Sequence, residues 1–118
     1  MSIDKHVELK NRAKAFALRV FRMSQAIPKT REANVIMQQL LRSSTSMAAN
    51  YRAVGRARSK AEFVSKLGVV VEEADETVFW LEFLADTGIV KPTKLHELLN
   101  EANQLLLIFS ASRSTAKT

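Results

Sequence analysis

Two histidines, a run of carboxylates and several sets of arginines are the residues whose types and spacing could do chemistry. A carboxylate-bridged di-iron centre in a helical bundle needs a Glu on each of two helices and Glu-x-x-His on the other two. His6 and His96 have Ile3 and Thr93 three residues before them, so neither completes that motif. The sequence instead places His6 near a frayed end and His96 in the first turn of a helix, both as surface residues. Glu73 and Glu76 could act as paired carboxylates, but no His, Cys or phosphate-binding loop accompanies them. The chain has no Cys, which removes thiol nucleophiles, zinc knuckles and disulfides together. There is no Walker motif and no Gly-rich turn after a strand. The expectation is a protein without enzymatic activity, metal or cofactor.

The cations are more informative. Lys5, Arg12 and Arg19 recur every seven residues and share one helix face, with Arg22 close by, while Arg52, Arg56, Arg58 and Lys60 crowd a short stretch. Arginine suits phosphate because its planar fork can donate two hydrogen bonds at once. Residues 1–60 hold 13 Lys/Arg against 3 Asp/Glu, and residues 61–118 hold 5 against 9, giving the net +6. That division leaves three readings open: a face for nucleic-acid phosphates, ion pairing within or between protomers, and plain solvation. For pairing, the acidic run Glu72-Glu73-Ala74-Asp75-Glu76 faces Arg42 or Arg52 as candidates. No recognition helix, zinc-finger spacing or aromatic-plus-basic strand is present to read bases.

What must position these groups is a set of four helices. Apolar residues alternate at steps of three and four in four segments, of which Phe63, Leu67, Val70, Ala74, Thr77, Leu81 and Leu84 form the cleanest. Such seams mark helices packed side by side at small angles. Pro28 ends the first segment, Ser59-x-x-Glu62 fits a capping box, Gly88 suits a helix end and Pro92 a helix start. The expected helices are 5–27, 32–56, 60–87 and 93–112, with loops short enough to favour antiparallel neighbours. The fold class is therefore all-α, an antiparallel up-down four-helix bundle. Residues 1–112 are expected to form one domain and residues 113–118 a disordered basic tail. The 118 residues offer no membrane-spanning run and the N-terminus is too polar for a secretory signal, so the expected compartment is the cytoplasm.

Several large apolar residues fall off the seams. At about 100° per residue, Leu18 lies opposite the first seam and Phe21 a third of a turn away. Phe79 and Phe83 sit on the outer side of the third helix beside Glu72 and Glu76, with Trp80 next to Glu73. They are either a wide core stripe or a protein–protein surface, most economically between copies of the chain. The second helix carries a further stripe, Gln39, Arg42, Ser46, Ala49/Asn50 and Ala53, able to receive another helix or simply to be solvated. Leu18, Phe21, Gln39, Arg42, Ser46 and Asn50 are thus candidate interface residues, as are Glu72, Glu73, Glu76, Phe79 and Phe83.

The run from Gln39 to Asn50 resembles the Q-L-x-R-x-x-x-S-x-x-x-N core of bacterial four-helix bundle proteins related to those encoded in intervening sequences of large-subunit ribosomal RNA genes. The likeness continues through Arg58-Ser59-x-x-Glu62-Phe63, Leu67 and Glu76, and covers most of the chain. It implies a bundle that assembles into a ring, pentameric where the assembly is known. It also brings in relatives that are accessory proteins of diversity-generating retroelements, basic rings that associate with a reverse transcriptase and nucleic acid. The chain departs from the pattern at Ala53, where a Glu is usual, beside Arg52, and at Glu72-Glu73, where a Gly-Ser pair is usual. These changes suggest Arg52 with Glu72 or Glu73 as a replacement pair.

The functional expectation is a homo-oligomeric bundle whose basic surface binds RNA, DNA or a nucleoprotein partner such as a reverse transcriptase. Phosphate contacts would come from Arg12, Arg19, Arg22, Arg52, Arg56, Arg58 and Lys60. The alternative is a purely protein-binding homo-oligomer whose basic half is neutralised by the acidic half of its neighbour.

Overall fold

In a computed structural model, which describes residues 2–118, the chain runs through α1 (Ile3–Gln25), α2 (Arg31–Val54), α3 (Lys60–Thr87) and α4 (Pro92–Lys117). No strand occurs among the described residues. Ser2, Thr30 and Ser59 adopt extended backbone before α1, α2 and α3, and each hydroxyl accepts from the amide three residues on. These contacts satisfy donors that the first helical turn leaves without partners. Ser59 thus supplies half of the expected capping box; the Glu62 carboxylate lies 3.6 Å from Arg58 Nε. Gly88 ends α3 at φ 75°, a left-handed conformation that glycine adopts without steric cost, and Pro92 opens α4.

The helices form an antiparallel four-helix bundle with extents of 45 × 22 × 20 Å. α3 packs extensively on α2 and α4, α2 covers α1, and α1 touches α4 least. The four seams of three- and four-residue steps are buried: Leu9, Ala13, Phe16, Val20 and Ile27; Met37, Leu40, Ser44, Met47, Tyr51 and Val54; Leu67 to Leu84; and Leu95, Leu98, Ala102, Leu105 and Phe109, while Met23 and Phe63 are partly so. Burying a Leu or Phe side chain contributes roughly 1.5–3 kcal/mol relative to exposure, so these seams supply the main drive to fold. A polar pair sits within them: the buried Thr77 hydroxyl lies 2.9 Å from Ser43 Oγ, fixing the register of α2 on α3. Ser43 also donates to the Leu40 carbonyl, so the pair is satisfied without water.

The expected break after residue 112 does not occur. α4 continues to Lys117, and within this last stretch Arg113 crosses to α3, where its Nε donates to the Val64 carbonyl at 3.2 Å. Gly68 makes room for it, since a Cβ there would stand 3.1 Å from Arg113 Nε. The expected fraying at His6 is also replaced by order: the His6 ring is part-buried and stacks on Tyr51, with centroids 4.9 Å apart.

Candidate nucleic-acid interface

Antiparallel packing brings the start of α1, the α2–α3 junction and the end of α4 to one end of the bundle. Residues 3–10, 52–62 and 113–117 there carry eight Lys or Arg against three Asp or Glu. Arg52, Arg56, Arg58 and Lys60 are all exposed. Of the four, only Arg58 has an ion pair among the described residues, the 3.6 Å contact with Glu62, and its own side chain is 88% exposed. The local cause is the fold itself. α2 ends at Val54 with Gly55 as its cap, and the chain crosses to α3 in five residues, so three cations sit in the loop or its edges. A helix C-terminus also favours cations through its partial negative charge, which accounts for Arg52.

The other candidate cations have different surroundings. Arg12 bridges α1 and α4: Nε and one terminal nitrogen donate to the two Glu101 oxygens at 2.7 Å each, and the same nitrogen donates to Gln104 Oε1. The hydrogen bond to Glu101 raises the guanidinium pKa further, against a desolvation cost. Arg12 is therefore a helix–helix tie rather than an open phosphate ligand. Arg19 reaches Glu97 at 3.6 Å, further along the same α1–α4 seam. Arg22 is exposed in the last turn of α1, toward the opposite end from Arg56. The structure thus brings together Arg52, Arg56, Arg58 and Lys60 and separates them from Arg12, Arg19 and Arg22.

The candidate interface residues divide in the same way. Arg42 pairs within the chain, with Glu73 at 3.1 Å and with Glu76, and Gln39 Oε1 accepts from its Nε. Asn50 donates to the Ser46 carbonyl and Oγ, closing the polar stripe of α2 on itself. The acidic run therefore meets Arg42, and the suggested Arg52–Glu73 pair does not form within the chain. With Ser43 level with Thr77, Arg52 lies about 13 Å further along the axis, well past Glu73. Leu18, Phe21, Phe79 and Phe83 are 42–52% exposed, so the wide-core reading does not apply to them. Phe79, Trp80 and Phe83 form one aromatic cluster, with centroids 5.0–5.9 Å apart, and Glu72 stands exposed on the same helix.

Two features escaped the sequence reading. Lys10 and Lys14 line a groove between α1 and α2 with Leu18, Phe21, Ala48 and Ala49. Asp75, Glu82 and Asp86 join Glu72 around Phe79 and Phe83, all exposed. The signals were present: Glu72, Phe79 and Asp86 lie seven apart, as do Asp75 and Glu82.

The fold and the basic end define a class, that of small antiparallel four-helix bundles without a recognisable catalytic constellation among the described residues. A family model described as 23S rRNA-intervening sequence protein matches residues 5–111. The chain belongs to that family. A solved structure from Bacteroides thetaiotaomicron, described as a protein of unknown function from the S23 ribosomal protein family, is similar over 97% of this chain and 99% of its own. The two share 30% identity with a TM-score of 0.84. Comparison with curated protein sequences finds no match. No helix among the described residues is long and apolar enough to cross a membrane.

Proposed function

We propose that the protein is a non-enzymatic, self-associating helical bundle of the cytoplasm whose basic end binds nucleic-acid phosphates. The observation that carries this reading is the contrast between its arginines. Arg12 and Arg42 are tied to carboxylates, whereas Arg52, Arg56, Arg58 and Lys60 stand exposed together at one end. Such a patch contacts backbone phosphates of RNA or DNA and has no groove-entering element to read bases. Binding is therefore largely independent of sequence and strongly dependent on salt. A nucleoprotein, such as a reverse transcriptase with its template, offers the same phosphates.

The test is fluorescence anisotropy with labelled duplex RNA and duplex DNA at two salt concentrations. The proposal expects binding of both at low salt and its loss at high salt. No binding at low salt would contradict it. The exposed aromatics of α3 favour the second reading, a protein-binding bundle without nucleic-acid affinity, which that negative result would leave standing.

A further inference from the structure

We infer that the groove between α1 and α2 holds unpaired bases, so that single-stranded nucleic acid is the ligand the protein prefers. The inference rests on the phosphate binding proposed above and names the strand form that the basic end receives. Lys10, Lys14, Leu18 and Phe21 follow one another at steps of four, four and three, which places them on one face of α1. With Ala48, Ala49 and Arg52 of α2 they line a groove of about 630 Å³. The alanines keep its α2 wall low, and Leu18 and Phe21 stand 42% and 49% exposed.

The charge around this groove is of one sign. Among the described residues, Lys10, Lys14 and Arg52 have no ion pair, and no carboxylate lines the groove. Phe21 is therefore an exposed ring among cations. Phe79 and Phe83, the other exposed phenylalanines, stand among Glu72, Asp75, Glu82 and Asp86, which repel phosphates. A ring on which a base can stack, flanked by cations for the backbone, is how proteins hold single strands. Such stacking tolerates any sequence, because every base has a π face.

The groove excludes a duplex. Packed helices lie about 8–10 Å apart, so the space between α1 and α2 admits one extended strand and not two paired ones. The bases of a duplex also keep their faces stacked on one another. Lys10 and Lys14 lie about 6 Å apart along α1, comparable with the step between successive phosphates of an extended strand. The groove runs from Lys10 and Arg52 toward Phe21, and Arg52 belongs to the basic end as well. A strand seated in the groove thus continues onto Arg56, Arg58 and Lys60. A duplex is left with the phosphate contacts of the basic end alone.

The experiment is fluorescence anisotropy on the full chain with labelled oligothymidylate and with a mixed-sequence duplex of the same length. Wild type and variants are compared, with circular dichroism to verify folding. Phe21→Ala is expected to weaken single-strand binding by at least about fivefold, the lower bound for one stacked base, and to leave duplex binding unchanged. Phe21→Trp is expected to keep the affinity, whereas Phe21→Leu, apolar but without a ring, loses it. Lys14→Gln should lower the single-strand salt slope by about 0.7 and leave the duplex slope unchanged. Irradiating wild type on oligothymidylate substituted with 5-iodouracil, which couples to rings stacked on it, should attach the strand at Phe21. Attachment at Phe79 or Phe83 would overturn this inference alone, as would normal duplex binding with single-strand binding indifferent to Phe21. Absence of binding to either form would overturn the phosphate-binding proposal and this inference together.

Discussion

His6 stacks on Tyr51 at 4.9 Å, and Tyr51 in turn contacts Phe109 at 4.8 Å, so three helices meet at one aromatic column beneath the basic end. Tyr51 is fully buried, and desolvation pushes its phenol up to about 12. It therefore stays neutral throughout the physiological range. His6, the other polar ring in this column, is held below its ordinary 6.5 by desolvation and by nearby Lys10.

That lowering fixes a pH dependence. The unfolded chain takes up the His6 proton at a higher pH than the folded chain, so stability rises with pH across the interval between the two pKa values. His6 contributes fully above about 6.5, and its contribution falls as pH drops toward the lower, folded value. Urea denaturation at pH 7.5 and pH 5.5 checks this. The midpoint is expected to decline on acidification in wild type, and to decline less in His6→Gln.

Gly55 approaches the same ring. A Cβ at this position would lie 2.6 Å from His6 Nε2, although the Gly55 backbone, at φ −63°, suits any residue. Gly55→Ala is therefore expected to destabilise wild type and to stabilise His6→Ala by roughly 0.5–1 kcal/mol, the usual gain from Gly to Ala in helical backbone. A double-mutant cycle measured by denaturation gives the coupling.

The Arg12–Glu101 tie spans α1 and α4, the least packed pair of neighbours. Arg12→Ala should cost about 1–2 kcal/mol of stability, the range for a partly exposed, doubly hydrogen-bonded charge. It should leave nucleic-acid affinity and its salt dependence unchanged. The opposite pattern would place Arg12 among the phosphate ligands.

Trp80, the sole tryptophan, touches both Phe79 and Phe83 and so reports on the aromatic cluster of α3. Diluting the protein should shift its emission to longer wavelength as the cluster becomes hydrated. High salt should move that transition to higher protein concentration, because the surrounding charges are screened.

The fold was legible because heptad spacing is a local property: Leu67, Val70, Ala74, Thr77, Leu81 and Leu84 announce a buried face without knowledge of their neighbours. The helix ends were less so. α4 runs on past residue 112, and there Arg113 bonds to Val64, a contact 49 residues away that no pattern near the C-terminus encodes. The basic cluster from Arg52 to Lys60 was visible as a run. Which arginines were tied was legible in part: the acidic run was a candidate partner for Arg42 or Arg52 and meets Arg42, whereas Arg12 finds Glu101 across 89 residues with no local signal. The groove at Lys10 and Lys14 needs two helices to exist, so neither lysine stood out alone.

The most direct measurement is the salt dependence of duplex DNA affinity for wild type, Arg12→Ala and Arg56→Ala with Arg58→Ala. Each phosphate contact removed lowers the log–log slope by about 0.9. The account predicts a slope smaller by roughly two units for the Arg56/Arg58 variant and an unchanged slope for Arg12→Ala. Equal slopes for wild type and the Arg56/Arg58 variant would contradict it.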